Sequence, residues 1–212
     1  LLYWASDTEK DPRFAKMAYA HALTTQKKMI RPDGSVKHIA VFDPQSGDYL
    51  HSQGGQGYEH GSSWTRGQAW GIYGFTLSYE HTNDASFLAT AKRIANYFIA
   101  NIPDSNHIPI DFRQPTEPHL EDASATAIAA SGLIELSQHV EEADQQIYLN
   151  AAVRLLRTLT SEGVDWNNQH DAFITSCSAE YHEDHHEYPI IYADYFYIEA
   201  LMKLTDKSFK PW

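Results

Sequence analysis

The sequence alternates between two kinds of helical segment, and that alternation restricts the fold more than any other feature. The segments from about Pro12 to Met29, Ala85 to Asn101 and Asp144 to Thr160 are amphipathic: Leu88, Ala91, Ala95 and Phe98 in one, and Tyr148, Ala152, Leu155 and Leu159 in another, fall at three- and four-residue spacing. Such a helix lays one face on a core and leaves the other in water. The segments from about Ser63 to Glu80, Ala123 to Gln138 and Ile191 to Leu204 are instead rich in small and aromatic residues all round, as in helices enclosed by other helices. Leu1 to Ala5 (LLYWA) reads as the last turns of a helix begun upstream. Counting that fragment, enclosed-type segments recur roughly every 60 to 70 residues, each followed by an amphipathic one. This is the period of helical hairpins closing into an α/α toroid, so an all-α, incomplete barrel of about seven helices is expected, as one domain over residues 1–212.

Gly67, Gly71 and Gly74 lie on one side of their helix at spacings of four and three. Each costs about 1 kcal/mol relative to Ala in a helix, so close packing against a neighbouring helix is expected at all three. Gly34 to Leu50 (GSVKHIAVFDPQSGDYL) alternates and holds turn residues, which predicts a small hairpin on the barrel rim. The segments 103–121 and 161–190 are longer than compact connections need, and long structured loops are where binding residues tend to sit.

Charge excludes some partners. At 212 residues the net charge is −12 with no basic run, which argues against nucleic acid and anionic membranes as partners. No stretch approaches the roughly 20 apolar residues of a membrane span. The one cysteine, Cys177, rules out an intrachain disulfide framework and leaves both a cytoplasmic and a periplasmic location open. Aromatics are 13% of the residues, a proportion that suits a carbohydrate cleft and an aromatic-rich core equally well.

Three segments resemble the unsaturated glucuronyl hydrolases, family 88 of the glycoside hydrolases: SSWTRGQAWG from Ser62, EDASATAIAASGLIEL from Glu121 and ADYFYIEAL from Ala193. With LLYWAS and PDGSVKHIAVFDPQSG, the similarity runs over nearly the whole chain. The resemblance implies the C-terminal part of an (α/α)6 barrel, with the N-terminal part absent from this chain. It also implies removal of a 4,5-unsaturated glucuronic acid from the non-reducing end of lyase-generated, glycosaminoglycan-type oligosaccharides. In that reaction a carboxylic acid protonates C4 of the vinyl ether, water adds at C5, and the hemiketal opens to release the neighbouring sugar. No metal or organic cofactor is implied, and the partner is a small anionic oligosaccharide. The two aspartates that matter most would lie upstream of Leu1, so the isolated chain is expected to be essentially inactive and its longer parent active. Carried over one position at a time, His38, Gln56, Trp64, Arg66, Trp70, Tyr181 and His182 match substrate-binding residues. A rhamnogalacturonyl hydrolase acting on pectin fragments and a catalytically silent sugar-binding barrel are the alternatives.

Simple chemistry bears on the same residues. Arg66 and Trp70 are four apart on one helix, so a planar cation that can pair with a carboxylate shares a face with an aromatic platform. The SSWTR, EDASA and HHEYPIIYAD motifs all fall at N-terminal ends of enclosed helices, where the backbone favours an anion. Each motif also has a plainer role. Trp64 and Trp70 fit core aromatics, Ser62 or Ser63 a helix cap, Glu121 and Asp122 capping carboxylates, and Asp194 a hydrogen-bonded structural carboxylate. The run His182 to Glu187 (HEDHHE) invites a metal reading, but no second cluster completes a ligand set, and a cleft-lining loop is preferred.

Overall fold

In the computed structural model, which describes residues 1–167 and 171–205, seven α-helices and one small hairpin account for the regular structure. The helices are α1 (Leu2–Glu9), α2 (Pro12–Met29), α3 (Thr65–Thr82), α4 (Ala85–Ala100), α5 (Ala123–Ser137), α6 (Glu142–Thr158) and α7 (Ile191–Leu204). The predicted helix from Asp144 to Thr160 starts two residues earlier, and its end loosens into a π-helical turn at Leu159–Gly163. Of the 161–190 segment, residues 168–170 lie outside the described part.

Local signals set the helix ends. Asp11, Asp84 and Asp122 each accept a backbone N–H in the first turn of α2, α4 and α5, and Pro12 at the head of α2 loses no hydrogen bond there. Asn83 ends α3 with φ at 55°, a left-handed cap that turns the chain straight into α4.

Packing follows the two helix types. The enclosed helices α3, α5 and α7 stand side by side, α3 and α7 both against α5, while α4 packs on α3 and α6 on α5 from outside. Every residue of α5 is buried, and Phe87, Ile94 and Phe98 of α4 and Tyr148 and Leu155 of α6 press their apolar stripes onto the enclosed layer. Fully burying one such side chain is worth about 1.5–3 kcal/mol, which makes this seam the main source of cohesion. α1 and α2 form a further hairpin that touches α3 only lightly.

The enclosed helices run parallel, so their ends gather into two clusters. At the C-terminal end, Lys203 of α7 pairs with Glu135 of α5 at 2.9 Å and Glu199 at 3.5 Å, Tyr73 of α3 donates to Glu199 at 3.0 Å, and His139 meets Glu80 at 2.8 Å. Buried charges survive there because each has an opposite charge and a hydrogen bond. At the N-terminal end the two long segments are stitched across the helix starts: Thr65 donates to the Ile110 carbonyl, and Ala123 to that of Ser176.

The hairpin is antiparallel, β1 (Ile39–Phe42) with β2 (Tyr49–Gln53), so it begins and ends later than the expected 34–50. Asp43 makes the turn by accepting from the amides of Gln45 and Ser46, both at 2.8 Å. No helix of the described residues is long and apolar enough to cross a membrane.

Candidate active site

An apolar cavity of about 640 Å³ opens between α1, α2 and α3. Along α3 its lining includes Gly67, Trp70, Gly71, Gly74, Leu77 and His81, which recur turn by turn. His38, at the base of the hairpin, and Trp64, just before α3, close its end near the helix N-termini. Their rings lie 4.4 Å apart.

The glycines answer differently from expectation. A side chain at Gly71 would meet Ile94 at 3.0 Å, and one at Gly67 would meet the Trp64 ring at 2.9 Å, but Gly74 has nothing within 4 Å. Close packing therefore holds at Gly71 alone in the helix–helix sense. Gly67 makes room for Trp64, and Gly74 leaves the cavity wide.

The seven residues singled out from the sequence form one connected patch. The Gln56 amide N–H donates to His38 Nδ1 at 2.9 Å, and its side chain donates to the Ala179 carbonyl at 2.9 Å. The Gln56 carbonyl accepts from Tyr181 N at 2.9 Å, and His182 Nε2 bonds the Tyr58 carbonyl at 2.7 Å. Tyr58 and Tyr181 pack edge to face at 5.0 Å. Trp70 is 36% exposed, lines the cavity and packs at a steep angle against Phe196, ring centres 5.2 Å apart.

Arg66 departs from its expected place. It shares the helix face with Trp70 in sequence spacing, yet it is 2% exposed and lines neither the large cavity nor the small cleft beside it. Its guanidinium pairs with Asp122 at 2.5 Å and also donates to Ser124 Oγ and to the Ser178 and Ala179 carbonyls. With a buried carboxylate already bound, it has no free fork to offer another. What it does offer is a cation 4.7 Å from the centre of the Trp64 ring, fixing that indole from behind. Gln56 likewise sits behind the wall, holding His38, so the two residues orient the lining while His38, Trp64 and Trp70 form it.

Electrostatics follow from burial. Desolvation holds the His38 imidazole below its usual range, and the Gln56 N–H pointing at Nδ1 fits a neutral ring. At Asp122 full burial holds the carboxyl above its ordinary range, and Arg66 and Ser124 offset that only in part. The Trp64 indole N–H is buried with no hydrogen-bond partner among the described residues.

Two of the plainer readings of the acids hold: Asp122 caps α5 through Ser124 N, and Asp194 accepts from the amides of Phe173 and Ile174; Glu121, expected to be a capping carboxylate as well, pairs with His107 instead. Three features escaped sequence reasoning. Asp111, fully buried, accepts from Ser63 N, Tyr58 N, Arg113 N and Ser62 Oγ at 2.5–3.1 Å, and so shapes the loop that carries Gln56 into Trp64. Only the length of segment 103–121 hinted at it. His107 clamps Glu121 at 2.6 Å and Glu162 at 3.0 Å, joining two loops far apart in sequence. Lys37, beside His38, lines the cavity as well. Among the described residues, the group spaced to hold a metal is Glu80, Glu135 and His139 at the opposite end, where Lys203 already occupies Glu135.

No family model matches the chain. Individual relatives do. The chain is 39% identical over 213 residues to the unsaturated glucuronyl hydrolase of Bacillus sp. (strain GL1), covering 96% of this chain and 55% of that protein. It is 33% identical over 221 residues to the unsaturated chondroitin disaccharide hydrolase of Streptococcus pneumoniae, covering 100% of this chain and 54% of that one. It superposes with a TM-score of 0.91 at 36% identity on the crystal structure of the Bacillus sp. GL1 unsaturated glucuronyl hydrolase, described as responsible for the degradation of glycosaminoglycan. That match takes in 96% of this chain and 55% of the solved one. The chain thus spans about half the length of the relatives it matches. Over that span, sequence and backbone agree in placing it in the unsaturated glucuronyl hydrolase family.

Proposed function

We propose that the chain supplies the sugar-binding wall of an unsaturated glucuronyl hydrolase, an enzyme that removes a 4,5-unsaturated glucuronic acid from glycosaminoglycan-type disaccharides by hydrating the C4=C5 bond. The observation that carries this reading is the wall itself. Trp70 presents a partly exposed ring to an otherwise apolar cavity whose end is closed by Trp64 and His38, so the cavity offers an aromatic stacking surface. Sugars use such a surface, because their C–H faces are apolar. His38 belongs to this wall, Gln56 holds it from behind, Tyr181 and His182 bond the Gln56 and Tyr58 carbonyls off the wall, and Arg66 acts through Trp64 rather than by direct contact.

Among the described residues no aspartate or glutamate lines the cavity. Protonating C4 requires an acid within hydrogen-bond reach, or one water away, so the chain by itself binds without turning over. The resemblance to the family assigns that acid to an aspartate ahead of Leu1.

The test pairs two assays on an unsaturated chondroitin disaccharide: titration of tryptophan fluorescence for binding, and loss of the double bond's ultraviolet absorbance for turnover. Saturable quenching that disappears in Trp70→Ala is the expected result. Absence of any quenching in the wild-type chain would refute the reading. Full turnover by the chain would place the acid on one of its own carboxylates, contrary to the cavity's lining.

A further inference from the structure

Asp111 is a fully buried carboxylate, and among the described residues no lysine, arginine or histidine pairs with it. Its partners are four neutral donors. One carboxylate oxygen accepts from Ser63 N and Arg113 N, both at 2.9 Å, and the other from Tyr58 N at 3.1 Å and Ser62 Oγ at 2.5 Å. Burying a charge without a counter-charge is a poor route to stability, because neutral donors replace water only in part. What a carboxylate supplies that no other short side chain can is acceptor capacity: two oxygens take four donors and present no hydrogen of their own.

Those donors bracket the segment that runs into the cavity wall. Tyr58 and Ser63 are the two ends of the 58–63 loop, so one side chain ties the loop shut. Directly after it, Trp64 forms an antiparallel bridge with Asp111 itself, flanked by Phe112 N donating to the Ser63 carbonyl and Thr65 N to the Ile110 carbonyl, both at 3.0 Å. Ahead of the loop, Gln56 N holds His38, whose ring lies 4.4 Å from that of Trp64. The Tyr58 carbonyl also takes His182, and the Tyr58 ring meets Tyr181. Gly57 keeps the place open: a side chain there would strike the Asp111 carboxylate and come within 3.1 Å of Trp64 Cβ.

We propose that Asp111 is a positioning residue for the sugar wall, closing the 58–63 loop so that Trp64 and His38 keep their mutual placement and, with it, the affinity for the sugar. Asp111 lines neither the large cavity nor the small cleft, so it acts through Trp64 and His38, and its effect on affinity rests on the function proposed above. A binding wall works only while its groups hold their geometry to within about 0.5 Å. Asparagine has the same shape as Asp111 but turns N–H donors toward two of the four donors, which undoes half of the arrangement and leaves the volume filled.

Wild type, Asp111→Asn, Gly57→Ala and His107→Gln are titrated by tryptophan fluorescence with an unsaturated chondroitin disaccharide. The emission of Trp64 alone is taken as the difference between each protein and its Trp64→Phe form. Asp111→Asn is expected to weaken the disaccharide by about tenfold, the scale of one charge-assisted hydrogen bond, and to shift Trp64 emission to the red as the ring loosens. Gly57→Ala should do the same, because its methyl displaces the same carboxylate without altering the charge, and it decides the matter if Asp111→Asn does not fold. His107→Gln removes a clamp that is not on the cavity and should lower stability at wild-type affinity, so that affinity lost in the other two cannot be put down to lost stability. Unchanged affinity in Asp111→Asn and Gly57→Ala, affinity weakened with Trp64 unmoved, or an equal loss in His107→Gln overturns the proposal and leaves the sugar site standing. A wild type that does not bind the disaccharide overturns the function proposed above, and this proposal with it.

Discussion

Arg66 and Asp122 stand 56 residues apart and form the strongest charged contact of the site end, with both side chains all but sealed from water. Removing one partner strands the other as an uncompensated buried charge. Arg66→Ala is therefore expected to lower unfolding free energy by about 3–5 kcal/mol in urea titrations, and Arg66→Met combined with Asp122→Leu to recover much of that loss. A loss below about 1 kcal/mol would mean the pair is wet. His107 calls for a pH experiment. Burial alone would pull its imidazole down, but Glu162 and Glu121 on either side outweigh that and raise it above 6.5. A raised folded value means that the clamp's contribution is complete below the unfolded value and fades as pH climbs through the folded one. The stability difference between wild type and His107→Gln should accordingly be larger at about pH 6 than at about pH 9, where an uncharged ring gains little from two carboxylates. Equal differences at both pH values would show that the ring carries no charge in the clamp.

Helix glycines make the next scale testable. Gly132 of α5 lies against the backbone of α3: an added methyl would sit 3.0 Å from Tyr73 N and 3.1 Å from Ile72 Cγ2. Backbone cannot yield as a flexible side chain does, so Gly132→Ala should destabilise by about 1–3 kcal/mol despite Ala's better helix propensity. Gly74, on the open side of α3, should behave oppositely, with Gly74→Ala gaining up to about 1 kcal/mol. Thermal melts of the two variants decide the matter, and shifts of the same sign would refute the packing described. From sequence the two glycines look alike, each within an enclosed-type helix. The helices themselves were legible because periodicity and caps are local: α2 matches its expected bounds, and α4 ends one residue early. The hairpin was placed early because Gly34 to Lys37 alternates like a strand, while the structure spends it on a turn around Arg31 and a single bridge between Ile30 and Val36.

Across the whole molecule, burial silences the one thiol. Cys177 is fully buried beneath the 121–124 segment, and desolvation pushes its pKa up to about 12. Thiolate is the reactive form, so a disulfide reagent should label the native chain only as fast as it opens, with labelling accelerating through the urea transition. Rapid labelling in buffer would show that the 177–188 pairing is open. The sequence by itself determined the helical class and the order of enclosed and outer helices, because each depends on spacing within one segment. Arg66 marks where that stops. Its four-residue spacing to Trp70 put both on one face, but a face says nothing of what stands opposite, and only packing brought Asp122, Ser178 and Ala179 onto the guanidinium. The same packing withdrew Gln56 behind His38 and turned Asp111 into the organiser of its loop. Partners distant along the chain meet only when helices dock, and a buried charge takes whichever counter-charge the docking delivers.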